Sequence, residues 1–98
     1  MSLPVVLRQE ARTEFDEAFD WYEQQRPGLG VNFVACVQDV LDRIVTTPEL
    51  YPQVFEDVRR AIVWRFPYSV FYKIEPSQVV VLAVFHSRRD PKIWQARV

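Results

Sequence analysis

Apolar positions along the chain change period twice, and the changes divide it into three parts. "LPVVLRQEA" opens with a short apolar run, about residues 3–8, which reads as a strand with Pro4 at its start. From Glu10 the spacing becomes helical. Ala11, Phe15, Ala18, Phe19 and Tyr22 recur at three and four, with Glu10, Glu14, Asp16, Glu17, Asp20 and Glu23 on the remaining positions. "RPGLG" ends that helix, because Pro27 and Gly28 break the pattern. A second helix is predicted over about 29–46, where Phe33, Val34, Val37, Val40, Leu41, Ile44 and Val45 form a wide apolar stripe. It stops at Thr47, which precedes Pro48 and is biased out of the α region. Two helices joined by so short a turn pair antiparallel.

The last third reads as strands. "VRRAIVWRF" (58–66) alternates, Pro67 punctuates, and "YSVFYKI" (68–74) forms a second run. "EPSQ" is a turn signal, and "VVVLAVFHS" (79–87) is nearly all apolar, which places it centrally with both faces buried. "DPKIWQARV" closes as a helical turn with Asp90 as N-cap and Pro91 at N1. The order β-α-α-β-β-β predicts an α+β fold. A two-helix hairpin packs on one face of an antiparallel sheet, because neither layer buries its apolar surface alone. The first strand is expected beside the last.

Composition fits a single domain over residues 1–98, with residues 1–3 read as a cloning remnant. The chain is 49% hydrophobic with two glycines, a profile dense enough for a small core and unlike that of a disordered segment. Its lone Cys36 has no disulfide partner and falls in the second helical pattern, where a packed thiol is expected; with no apolar leader or membrane-length run, a cytoplasmic protein is expected. Net charge is −1, but residues 1–50 carry four Lys/Arg and nine Asp/Glu, a net of −5. Residues 51–98 carry eight and four, a net of +4. That split is compatible with two ordinary solvated faces, or with a polyanion or acidic peptide bound by the second half.

The candidate chemistry is basic and aromatic. Two glycines in one turn cannot cradle a nucleotide, and one His with one Cys makes no metal set, so neither cofactor nor metal is expected. Ser69 or Ser87 with His86 lacks a nucleophile-elbow sequence. Arg59, Arg60, Arg65, Lys73, Arg88, Arg89 and Trp94 are the candidate partner-binding residues, interleaved with Trp64, Tyr68 and Tyr72. Guanidinium groups bind phosphate or carboxylate in bidentate fashion, and rings stack on bases, so RNA and an acidic protein segment both fit. Taken alone, the basic and aromatic pattern is better explained by a solvated strand face with aromatics filling the core. His86 is either a hydrogen-bonded sheet-edge residue or a general acid–base.

Taken in order, "EARTEFDEAFDWYEQQRPGLGVNFVACV", the P-x-x-Y-P ending of the second helix, "VRRAIVWRFPYSVFYKI" and "VVVLAVFHSRRDPKIW" resemble the RelE/ParE superfamily of toxins from bacterial type II toxin–antitoxin modules, over about residues 5–97. The resemblance implies two helices on an antiparallel sheet, a cognate antitoxin as partner, and no sequence-specific DNA binding by the toxin itself. It implies one of two activities. RelE-like members cleave mRNA on the ribosome without a metal; ParE-like members inhibit DNA gyrase and are not nucleases. RelE-like ribonucleases carry an arginine after the aromatic that starts the middle strand, where this chain has Ser69. Trp94 stands where they carry a C-terminal tyrosine. Their two strand lysines align with Arg60 and Ile62, and only Arg88 or Arg89, at the exit of the last strand, is kept. A ribonuclease of a different inventory is open to Arg65, His86 and Arg88 as the catalytic set. The wording "RFPYSVFY" with "HSRRDP" is nearer ParE-like members, so the expected action is binding rather than bond cleavage. The antitoxin is expected on the basic half; a non-toxic member that only binds an antitoxin is the third reading.

Overall fold

The computed structural model describes residues 3–98, so Met1 and Ser2 of the expected remnant lie outside the described residues. The chain runs β1 (Val5–Leu7), α1 (Gln9–Gln25), α2 (Leu29–Thr46), β2 (Gln53–Phe55), β3 (Val58–Ile62), β4 (Tyr68–Ile74), β5 (Val79–His86) and α3 (Lys92–Gln95). The strands form one sheet in the order β1-β5-β4-β3-β2. As expected, β1 lies beside the last strand, but the pair is parallel, Val5 against Val79 and Leu7 against Val81, so the sheet is mixed at that edge. The other pairs are antiparallel.

Three expectations shift. The stretch after α2 holds an additional short strand, β2, which pairs irregularly with β3. The strand read over 58–66 ends at Ile62, because Arg65 adopts a left-handed conformation with φ 74° and folds the chain into a hairpin. At α3, Pro91 occupies the N-cap position, one residue later than expected; the Asp90 carboxylate still accepts a hydrogen bond from the Lys92 N–H at 3.0 Å.

The helix hairpin is fixed by its turn. Gly28 has φ 90°, a left-handed conformation that suits glycine, and its N–H donates to the Glu23 carboxylate at 3.0 Å. The same carboxylate accepts from the Val31 N–H at 3.1 Å, so a residue of α1 caps the start of α2. Gly30 sits where the helices touch; a Cβ there would lie 2.5 Å from Glu23 Cγ and 2.6 Å from the Phe19 carbonyl oxygen.

Both helices bury their stripes on one face of the sheet. Ala11, Ala18, Phe33, Val37 and Ile44 meet Val70, Tyr72, Val79, Val81 and Val84. Full burial of a side chain such as Phe33 contributes about 1.5–3 kcal/mol. Tyr72 donates its hydroxyl proton to the Pro48 carbonyl at 2.5 Å, tying the loop after α2 to the sheet. The outer face carries a second, smaller cluster in which Trp94 of α3 packs with Phe71, Val80, Leu82, Ala83 and Phe85. β5 is buried from Val79 to Phe85, as its unbroken apolar run predicts.

Candidate functional site

The site grows from an interrupted sheet edge. β1 covers β5 only as far as Val81, because after Leu7 the chain turns into α1. Beyond that point β5 carries a bulge: Phe71 pairs with Ala83 and Tyr72 with Val81, leaving Leu82 as the extra residue. An open, bulged edge presents backbone groups that need partners. Side chains supply them. Glu14 of α1 accepts from the Val84 N–H at 3.1 Å, and Arg97 donates to the Leu82 carbonyl at 3.1 Å. Arg97 also forks onto both oxygens of Glu14, each at 2.9 Å, and Arg89 adds a third contact at 2.7 Å. Arg8 then donates to the Arg97 carbonyl at 2.7 Å, which holds the tail in place.

Above this node a groove of about 1120 Å³ runs between α1 and the end of β5. Trp21, Tyr22, Tyr68 and Val84 give it apolar walls; His86, Arg89 and Arg97 make one end basic, and Glu10 and Glu17 make its flank acidic. Trp21 is 56% exposed there. Burial raises the Tyr22 and Tyr68 hydroxyl pKa values above the ordinary tyrosine range; at Tyr68 the neighbouring Tyr22 adds to the rise and Arg89 opposes it. Both stay neutral donors at physiological pH. His86 stands edge-on to Tyr68 and accepts from the Arg88 N–H through Nδ1 at 3.0 Å, which places the proton of its neutral ring on Nε2.

A smaller pocket of about 270 Å³ opens on the outer face of the sheet, shared by Arg60, Ser69, Phe71, Phe85, Arg89 and Trp94 among others. Arg60 donates from Nε to the Ser69 hydroxyl oxygen at 3.0 Å. Trp94 stacks on Phe71 with ring centroids 4.1 Å apart and is edge-on to Phe55. Arg89 covers the Phe85 ring at 4.4 Å, so it touches both the groove and the pocket.

The structure divides the predicted site residues. Arg60, Arg89 and Trp94 meet at the outer pocket. Arg59 turns the other way and donates to the Glu49 and Tyr51 carbonyls, holding the loop before β2. Lys73 faces Glu75 at 3.9 Å. Arg65 projects from the β3–β4 hairpin beside the ring of Trp64, which is 73% exposed. Among the described residues, no side-chain hydrogen bond or ion pair joins Arg65, His86 and Arg88; Arg88 reaches His86 through its backbone alone. Glu14, Arg97, Trp21 and Tyr22 belong to the groove and are absent from the predicted set. Spacing held a signal for Glu14, since it lies three residues after Ala11 and four before Ala18, on the buried stripe of α1.

Among the described residues, no group of three or more His, Cys, Asp or Glu is arranged to hold a metal ion, and no helix is long and apolar enough to cross a membrane. Cys36 is half-buried on α2.

A family model described as the ParE toxin of the type II toxin–antitoxin system parDE matches residues 5–91. No curated protein matches the chain. Among solved structures, one described as the chromosomal ParDE TA system from P. aeruginosa superposes with a TM-score of 0.76, at 15% sequence identity, over 87% of this chain and 96% of that one. At that identity the likeness speaks for the fold, and the family rests on the sequence match across the helices and strands just described. The chain belongs to the ParE toxin family of type II toxin–antitoxin systems.

Proposed function

We propose that this protein arrests growth by binding a protein target, DNA gyrase, in the cytoplasm, and that a cognate antitoxin neutralises it. One observation carries the choice of binding over RNA cleavage. Trp94, which stands at the position of the C-terminal tyrosine of RelE-like ribonucleases, is 3% exposed and stacked on Phe71. It offers neither a hydroxyl nor a free ring to a substrate. Among the described residues no side-chain hydrogen bond or ion pair joins Arg65, His86 and Arg88, so no preassembled acid–base set argues for the alternative. Tested side by side, the purified protein is expected to inhibit gyrase supercoiling and to leave ribosome-bound mRNA intact. Clean mRNA cleavage with no effect on gyrase overturns the proposal. Failure of induced expression to slow growth points instead to a member that only binds its antitoxin.

The groove beside α1 is the proposed antitoxin seat. Its apolar walls suit the apolar face of a helix, and at one end Arg89, whose side chain is 42% exposed beside His86, suits an acidic residue on it. Antitoxin binding then weakens with ionic strength and with Arg89→Ala. Salt-independent binding that ignores Arg89 removes this assignment. Target contacts are proposed for Arg60, Arg65 and Arg88 and the exposed Trp64, since Trp and Arg anchor protein interfaces disproportionately.

Ribosome-dependent RNA cleavage is the second reading, and Arg60 favours it. Its guanidinium lies against Ser69 and so brings a cation to the position where a RelE-like nuclease carries one. On that reading His86→Ala and Arg65→Ala each abolish growth arrest while the far-UV circular dichroism spectrum is unchanged.

A further inference from the structure

We infer that the outer pocket around Arg60 and Ser69 is a receptor for a single carboxylate side chain presented by an acidic, apolar-flanked segment of a partner protein. The inference rests on the proposal that the toxin acts by binding a protein, and adds the chemistry that the protein must bring.

The argument starts from donors and acceptors. Arg60 is exposed, and among the described residues it has no ion-pair partner; its one side-chain hydrogen bond is from Nε to the Ser69 oxygen at 3.0 Å. Ser69 is 4% exposed, so its position is set by the sheet, and it fixes the guanidinium in turn. The bond uses Nε and leaves both terminal nitrogens of the fork unspent. Having accepted from Arg60, the Ser69 hydroxyl keeps its own proton to donate. The guanidinium offers this pocket donors only and the Ser69 hydroxyl can add one more, so the pair calls for an acceptor, and an anionic one matches the unpaired cation best. Carboxylate and phosphate both qualify, and both match the bidentate geometry of arginine.

The surroundings decide between them. A nucleotide phosphate comes with a base that seeks a ring to stack on. Here the rings are engaged. Trp94 lies flat on Phe71 at 4.1 Å, Phe55 meets Trp94 edge-on, and Phe85 lies beneath Arg89 at 4.4 Å. At about 270 Å³ the pocket is also below the roughly 300–1,000 Å³ of typical small-molecule sites, a size suited to one side chain. On the β5 side the rim carries His86, Ser87 and Arg89, the last already paired with Glu14 at 2.7 Å, and on the β2–β3 side it is apolar. Val54 is 46% exposed at its edge, and Ile62, which pairs with Ser69 across the β3–β4 ladder, is 64% exposed. A carboxylate flanked by aliphatic side chains fits this combination.

The test uses the full-length, isotope-labelled protein and four probes: a capped leucine–glutamate hexapeptide, its leucine–glutamine counterpart, a short single-stranded RNA and inorganic phosphate. The glutamate peptide is expected to shift the Arg60 Nε–H and Ser69 amide resonances saturably, and at least tenfold more tightly than the glutamine peptide. Arg60→Gln is expected to abolish the shifts. Arg60→Lys, which keeps the charge and loses the Nε anchor, is expected to weaken binding several-fold. Equal response to both peptides, or shifts with RNA or phosphate but not the glutamate peptide, overturns the inference. So does an Arg60→Gln variant that still binds. The outcome separates from the gyrase assay: a protein that inhibits gyrase and ignores the peptide sinks the pocket alone. One that binds the peptide through Arg60 and spares gyrase keeps the pocket and loses the target.

Discussion

Replacing Glu14 tests whether side chains truly close the open edge of β5. Glu14 is the common acceptor for Val84, Arg89 and Arg97, and its side chain is 10% exposed, against 13% for Arg97 and 42% for Arg89. Glu14→Ala removes three things together. It orphans the Val84 N–H, a loss worth about 1–3 kcal/mol for a buried donor. It strips Arg97 of its counterion in a largely buried position, and breaking one side of a buried pair costs about 3–5 kcal/mol. It also frees Arg89, whose exposure leaves that contact worth under about 1 kcal/mol. These losses share one carboxylate and are not additive, so the expected total is about 3–5 kcal/mol. That is a large part of the roughly 5–15 kcal/mol available to a domain. Glu14→Gln keeps an acceptor for Val84 and loses only the charge, so it should fall about halfway. Urea unfolding followed by circular dichroism measures both through the midpoint at constant slope. A Glu14→Ala protein within about 1 kcal/mol of the parent would refute the reasoning, because water would then serve the edge as well as the carboxylate does.

Gly30→Ala places a Cβ against the Phe19 carbonyl, which is backbone and cannot swing aside, so a cost of about 1–3 kcal/mol is expected in the same unfolding assay. Glu23→Ala removes the cross-helix cap on Gly28 and Val31 and should cost about 1 kcal/mol. Arg65→Gly relieves a left-handed non-glycine residue and is expected to leave stability unchanged or raise it by under about 1 kcal/mol; a clear loss would show that the arginine side chain holds the hairpin. Tyr72 gives a pH signature. Burial, partly opposed by Arg59 and reinforced by Tyr51, pushes its hydroxyl pKa from the ordinary 10.0 up to about 12. The folded state holds that proton where the unfolded chain releases it, so stability falls as pH rises between those two values, by roughly 2–3 kcal/mol in all. Tyr72→Phe should flatten this alkaline loss, and an unchanged alkaline profile in the variant would dismiss the assignment.

Helix boundaries were legible because two chemical signals coincide at each. The apolar stripe of α2 runs out where Thr47 meets Pro48, and α1 stops where Pro27 and Gly28 follow. Strand boundaries were less legible where the cause lies in the backbone. "VRRAIVWRF" alternates through Phe66, yet the ladder ends at Ile62 because Arg65 turns left-handed, and nothing in the identity of an arginine announces a positive φ. β2 is three residues long and exposed at Gln53 and Val54, too short for a period to declare itself. The direction of β1 was hidden for a different reason: burial fixes which residues face inward, and a parallel or antiparallel neighbour satisfies that equally.

Ser69 shows why a site is harder to read than a fold. Set against the RelE-like pattern, position 69 is a serine where an arginine is expected, and the local inference is an absent cation. Register reverses that inference. Ile62 lies directly opposite Ser69 and Arg60 opposite Phe71, so Arg60 is the diagonal neighbour of Ser69, within reach of a long side chain. The guanidinium arrives from the adjacent strand, and the serine becomes its anchor. A cation therefore stands beside Ser69 without an arginine at that position. A missing arginine at position 69 is accordingly a weak argument against RNA cleavage. The buried Trp94 is a stronger one, because no neighbouring residue supplies the hydroxyl it lacks to the same stacked position. What distinguishes this pocket is a cation anchored on Ser69 beside rings already stacked on one another, and that combination fits the carboxylate inferred for it.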